Sequence, residues 1–195
     1  MKKITAADLD SEGCYHGDLY LRGHEHSLPA ALKIVGGWLD LTGYRHPLPA
    51  GLARVEGSLY LGGYDCALPA GLTSVGGWLD LYGYDHPLPA ALTSVGGSLY
   101  LRGYRHPLPA GLASVGSGLD LSAYDHPLPA GLVRVGGSLY LTGYTHPLPA
   151  GLTSVGGRLD LFDYDLPLPP GLAARDYRRS GDCRARRGPN EEGAQ

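Results

Sequence analysis

Apolar and polar positions along this chain repeat with a single period of twenty residues, and the period runs through eight successive copies without a gap. Leu-Pro recurs from Leu28-Pro29 to Leu168-Pro169, and Leu-x-Leu recurs from Leu19/Leu21 to Leu159/Leu161. A representative copy is ALTSVGGSLYLRGYRHPLPA, residues 91–110. An uninterrupted short period is the signature of a solenoid, in which each copy folds as one coil and stacks on the last. Within the copy, Leu-x-Leu alternates apolar and variable residues, which is strand periodicity. Stacking brings these strands side by side in parallel, about 4.8 Å apart. The leucines then point inward and residues such as Ser98, Tyr100 and Arg102 point out from one face.

The other segments of the coil follow from their glycines and prolines. Gly36-Gly37 and its copies precede each strand, and the second position departs from Gly only at Ser117. That pattern predicts a tight corner with positive φ at the second Gly. The corner after the strand (Gly23 through Gly103, then Ala123, Gly143 and Asp163) accepts a Cβ. The return path is Pro-Leu-Pro, as in Pro107-Leu108-Pro109. Prolines fix φ and remove amide donors, which predicts a polyproline II segment rather than a helix. Leu92 and Val95, three apart, fit either a short turn or a second small strand.

No coil can bury its apolar side chains alone, so the stack needs covers. Residues 1–12 form an N-terminal cap: Thr5 to Glu12 reads as a short helix with Thr5 as N-cap and Asp8 at the reciprocal position. The repeat solenoid occupies 13–172. The pattern stops after Leu172, and 173–195 holds six Arg against four acids, read as a disordered Arg-rich tail. The expected fold is therefore all-β, a single parallel solenoid of eight coils with polyproline II returns and a short capping helix.

Composition sharpens this in few places. Gly (31) and Pro (16) suggest low complexity only where no period organises them. The net charge of −3 gives no strong attraction to nucleic acid or acidic lipid, except through the tail. The first ten residues, MKKITAADLD, lack the apolar run of a signal peptide, and no stretch is long enough to span a bilayer. Cys14, Cys66 and Cys183 match neither a disulfide framework nor a metal-site spacing. A cytoplasmic location is the expectation. The excess of Arg over Lys fits a GC-rich bacterial or phage genome.

Leu-x-Leu-x-x-Tyr followed by Leu-Pro-x-Gly-Leu resembles a leucine-rich repeat, and the 20-residue length is most similar to the short bacterial class found in type III effectors. The resemblance covers about residues 13–172. It implies a curved solenoid whose parallel sheet is the binding surface, and a secreted effector as a second location. The family's Asn after the strand is Tyr here (Tyr44, Tyr64, Tyr84, Tyr104, Tyr124, Tyr144 and Tyr164), so its Asn ladder is absent.

Three groups of columns are candidates for function. The outward columns alternate without fail, Tyr20, Asp40, Tyr60, Asp80, Tyr100, Asp120, Tyr140, Asp160, joined by Trp38, Trp78, Tyr82 and Arg102. Tyr, Trp and Arg on one open face are the usual anchors of an interface. The acids favour a cationic or hydroxyl-rich partner. These twelve residues form the expected binding face, for another protein first and a glycan second. A histidine column includes His86, His106, His126 and His146; it reads first as neutral imidazoles bonding backbone carbonyls, and second as a metal clamp between adjacent coils. The tyrosine column reads first as a structural ladder of stacked rings with hydroxyls at the rim, and second as a platform for a ligand. Catalysis requires one asymmetric constellation, which a regular ladder does not offer. No enzyme activity and no cofactor are expected.

Overall fold

The computed structural model describes residues 4–179 apart from 102 and 123, and for 174–179 the backbone alone. In chain order the strands are β1 (Cys14–Tyr15), β2 (Leu19–Tyr20), β3 (Ile34–Val35), β4 (Leu39–Asp40), β5 (Arg54–Val55), β6 (Leu59–Tyr60), β7 (Ser74–Val75), β8 (Leu79–Asp80), β9 (Ser94–Val95), β10 (Leu99–Tyr100), β11 (Ser114–Val115), β12 (Leu119–Asp120), β13 (Arg134–Val135), β14 (Leu139–Tyr140), β15 (Ser154–Leu161) and β16 (Ala173–Arg179). Each coil thus supplies two short strands. The odd-numbered strands β1 to β13 stack in parallel into one wall and the even-numbered β2 to β14 into another; both walls meet in the long β15. Successive strands pair twenty residues apart, Val95 with Val115 and Leu99 with Leu119. The all-β parallel solenoid read from the period is what forms, and the Leu…Val pair is divided: Val95 lies in a second strand, while the Leu92 amide closes a turn onto the Pro89 carbonyl at 3.0 Å.

The core is a set of identical layers. In the coil from 91 to 110, Leu92, Val95, Leu99, Leu101, Tyr104 and Leu108 are all buried. The return segment carries no strand or helix of its own and ends in a turn in which the Leu112 amide donates to the Pro109 carbonyl at 3.0 Å.

The corner after the strand has room for a Cβ, as expected, but the positive φ expected at the second Gly before the strand is found there only at Gly17 (φ 126°). Positive φ lies after the strand, as at Gly83 (φ 71°), where a Cβ would meet nothing within 4 Å. Asp163 takes the same conformation at φ 63°. The Gly-Gly corner before the strand needs glycine for space instead: a Cβ on Gly96 would run into the Gly76 carbonyl oxygen of the preceding coil.

The two ends also depart from expectation. The helix is one 3-10 turn, Ala6–Asp8, with the Thr5 amide donating to Asp8 Oδ2 at 2.8 Å. It stops there because Asp10 Oδ1 accepts the amides of Glu12 and Cys14 (2.9 and 2.8 Å) and turns the chain into β1. Ile4 and Leu9 pack against the core. At the other end, residues read as the start of a disordered tail form β16, which pairs in parallel with β15 from Ala173 opposite Ser154 to Arg179 opposite Leu161. An edge of unpaired amides and carbonyls favours such a pairing even though 173–179 leaves the repeat. The rest of the Arg-rich segment, 180–195, lies outside the described residues. Among the described residues no helix is long and apolar enough to cross a membrane.

Candidate binding face

The β2-to-β14 wall turns its leucines inward and its three outward columns to solvent. Every exposed aromatic residue among the described ones lies on this wall: Tyr20, Trp38, Trp78, Tyr82, Tyr100, Tyr140 and Phe162. Trp38 and Trp78 are about half exposed (48% and 49%) and Tyr82 more so, at 73%. Tyr60 is half-buried in the same column. The parallel register puts like residues of the Tyr column two strands apart, about 9.6 Å. Trp78 and Tyr100 meet edge to face, ring centroids 6.4 Å apart and planes at 89°. Arg102 lies outside the described residues.

The acids of the face are engaged locally. Asp40, Asp80 and Asp120 each accept the amide two residues on (Thr42, Tyr82 and Ser122) at 2.9 to 3.0 Å, and Asp160 accepts that of Phe162 at 3.3 Å. Asp120 also accepts the Ser122 hydroxyl at 2.7 Å. Asp160 pairs with Arg158 at 3.1 Å, and Arg22 stands 4.0 Å from Asp40. These are side-chain turns that close the corner after the strand.

The intervening coils place an acceptor one column earlier. Asp18 accepts the Trp38 amide (2.7 Å), Ser58 that of Trp78 (3.0 Å), Ser98 that of Gly118 (3.1 Å) and Ser138 that of Arg158 (3.1 Å). Ser58 and Ser98 are buried in the process. The forty-residue alternation seen in the sequence is therefore a hydrogen-bonding device in which odd and even coils bond in different ways. The exposed aromatic rings, with Arg22 on the same face, remain available to a partner.

The tyrosine and histidine columns follow directly on the corner after the strand, where the Tyr44 amide donates to the Leu41 carbonyl at 2.8 Å. Tyr44 to Tyr164 are buried, and their hydroxyls face inward rather than the rim. Each accepts the amide of the Pro-Leu-Pro leucine, or its equivalent, in the preceding coil, as Tyr104 does from Leu88 at 2.8 Å. Tyr44, Tyr64 and Tyr104 in turn donate to the carbonyls of His26, His46 and His86 at 3.1 to 3.3 Å. In the first coil His24 stands in the tyrosine position without a preceding coil to bond, and its buried Nε2 has no partner.

The half-buried His46, His86, His106, His126 and His146 each direct Nε2 at a backbone carbonyl of the preceding coil, 2.7 to 3.2 Å away. Cys66 takes the same place with its sulfur 3.8 Å from the Arg45 carbonyl. Only the Nε2–H of an imidazole can donate here, so that nitrogen is committed to the stack. Changing His106 to Leu is expected to lower stability by about 1 kcal/mol, read from the urea midpoint; an unchanged midpoint would remove the ladder's structural role.

Comparison with known protein families, curated proteins and solved structures found no match to this chain. The architecture stands on its own geometry: a repeat protein with a parallel β-solenoid of 20-residue coils.

Proposed function

We propose that this chain is a non-enzymatic binding or scaffold module, of the leucine-rich-repeat kind, that holds another protein against the aromatic face of its β2-to-β14 wall. One observation carries the reading: all seven exposed aromatics among the described residues lie on that wall. Rigid aromatic rings on a flat sheet supply contact area at low entropic cost, and contiguous exposed apolar surface marks interaction sites. The Leu-x-Leu and Leu-Pro-x-Gly-Leu segments support the leucine-rich-repeat likeness and, with the Arg-rich composition, a bacterial source. The free thiols of Cys14 and Cys66 fit a reducing cytoplasm. A glycan on the same face is less well supported. Sugar rings stack on coplanar aromatics, and Trp78 and Tyr100 stand perpendicular.

The test compares the native chain with a variant in which Trp38, Trp78, Tyr82 and Tyr100 are all serine. The acids are left intact because they close turns. Both chains should melt alike in urea. A protein captured from source-cell lysate, then purified and titrated, is expected to bind the native chain at least a hundredfold more tightly than the variant. The only two tryptophans, Trp38 and Trp78, both lie on this face, so its occupancy changes the whole tryptophan emission. Equal binding by both chains, or binding with no change in emission, moves the site elsewhere.

A further inference from the structure

The first coil departs from the repeat at a run of column positions, and three of the departures introduce metal-ligand chemistry. Asp10 stands where later coils have Ala30, Ala50 and Ala70; Cys14 stands where they have Ile34, Arg54 and Ser74; His16 stands where most have Gly, as Gly36 and Gly76. The sequence separates the three by three residues and by one, which is not a metal-site spacing by itself. Folding brings them together. Asp10 Oδ1 binds the amides of Glu12 and Cys14, which curls the chain so that its other oxygen reaches His16 Nε2 at 2.7 Å. On its other side the same imidazole has Nδ1 3.9 Å from Cys14 Sγ. One ligand atom from each residue lies within 4.8 Å of the other two.

We infer that Asp10, Cys14 and His16 form a binding site for a borderline divalent cation of the zinc class. A thiolate, an imidazole and a carboxylate are a zinc donor set, and three protein ligands leave one tetrahedral position for water. Ligands of one tetrahedral zinc stand roughly 3.3–3.8 Å apart, given bonds of about 2.0–2.3 Å. His16 is exposed and its imidazole can turn to present one nitrogen to the ion, while Asp10 is held by its two amide bonds and Cys14 is fixed on β1. The bound ion ties the segment before β1 to the first coil.

The histidine ladder has its Nε2 atoms committed to carbonyls, and the hollows between successive corners, such as that lined by Gly83, Tyr84, Gly103 and Tyr104, are open.

Cobalt is the probe, because a cysteine thiolate bound to Co2+ gives a charge-transfer absorption in the near ultraviolet. The full chain is expected to take up one Co2+ with that band and to lose it when one equivalent of Zn2+ is added. Cys14→Ser should abolish the band, and Cys14→Ser and His16→Ala should each weaken zinc at least tenfold against a competing chelator. Cys66→Ser and His106→Leu should leave both readouts unchanged, and urea melting confirms that every variant is folded. No band in the native chain overturns the inference. So does a band that survives Cys14→Ser, which assigns the ligand to another cysteine, or a zinc affinity that neither variant lowers.

Discussion

Gly96→Ala is expected to destabilise the solenoid by about 3 kcal/mol or more, while Gly36→Ala, the same change in the same Val-Gly-Gly motif, should stay under about 1 kcal/mol. The difference lies in the distance between coils at that corner. A Cβ on Gly96 would run into the Gly76 carbonyl oxygen, and the Gly76 carbonyl carbon stands 3.0 Å away. Backbone on both sides cannot give way without prising the coils apart. At Gly36 the nearest atom is the Tyr15 carbonyl oxygen at 3.3 Å, a contact that a small shift relieves. This wider corner is also next to the coil in which the chain itself carries Glu56 in place of Gly. Gly83→Ala tests the other corner. There a Cβ has open space but φ is 71°, so the expected loss is the left-handed conformation's roughly 1–2 kcal/mol. Urea unfolding of the three variants gives the order directly. Because coils couple only to their neighbours, Gly96→Ala should also broaden the transition by separating the stack into two halves. Gly36→Ala as damaging as Gly96→Ala would show that the corner's demand is conformational after all.

That pair of glycine columns shows what the sequence can and cannot specify. A repeated Gly marks a position where a side chain is unwelcome, but sequence does not say whether backbone conformation or a neighbouring coil forbids it. The Leu-x-Leu strand was legible because alternation fixes which residues face inward. The Ser-Val strand was not, because Leu92 and Val95 three apart satisfy a turn equally well. The helix before the first coil fell short of Glu12 because Asp10 competes for the backbone amides that a second turn would use. β16 was hidden because 173–179 keeps none of the repeat and is held by the edge it pairs with. On the face, exposure of Tyr20, Trp38, Trp78, Tyr82, Tyr100 and Tyr140 follows from column order alone. The duties of its acids do not: Asp40, Asp80, Asp120 and Asp160 look like partner-binding groups until their bonds to the next corner are seen. The cluster of Asp10, Cys14 and His16 left a signal in sequence only as three breaks in an otherwise regular set of columns.

The tyrosine ladder makes the fold sensitive to alkali. Tyr104→Phe keeps the ring and removes an oxygen that accepts the Leu88 amide and donates to the His86 carbonyl (2.8 and 3.2 Å), leaving a buried N–H without a partner. The expected loss is about 1–3 kcal/mol, against about 3–5 kcal/mol for Tyr104→Ala, which adds a cavity between layers. Deprotonating the phenols attacks the same contacts along the whole stack. Burial pushes the pKa of Tyr144 up from 10 to about 12, and burial raises those of Tyr44, Tyr64, Tyr84, Tyr104 and Tyr124 as well. The unfolded chain therefore binds fewer protons than the folded one once pH passes the ordinary phenol value. The stabilisation is fully present below pH 10 and declines as pH climbs through the folded value. The urea midpoint should fall steadily above pH 10, and the phenolate absorbance of the ladder should grow in step with loss of the β-sheet circular dichroism. A midpoint that stays flat to about pH 12 would mean that the hydroxyls reach solvent and that the ladder is not what seals the coils together.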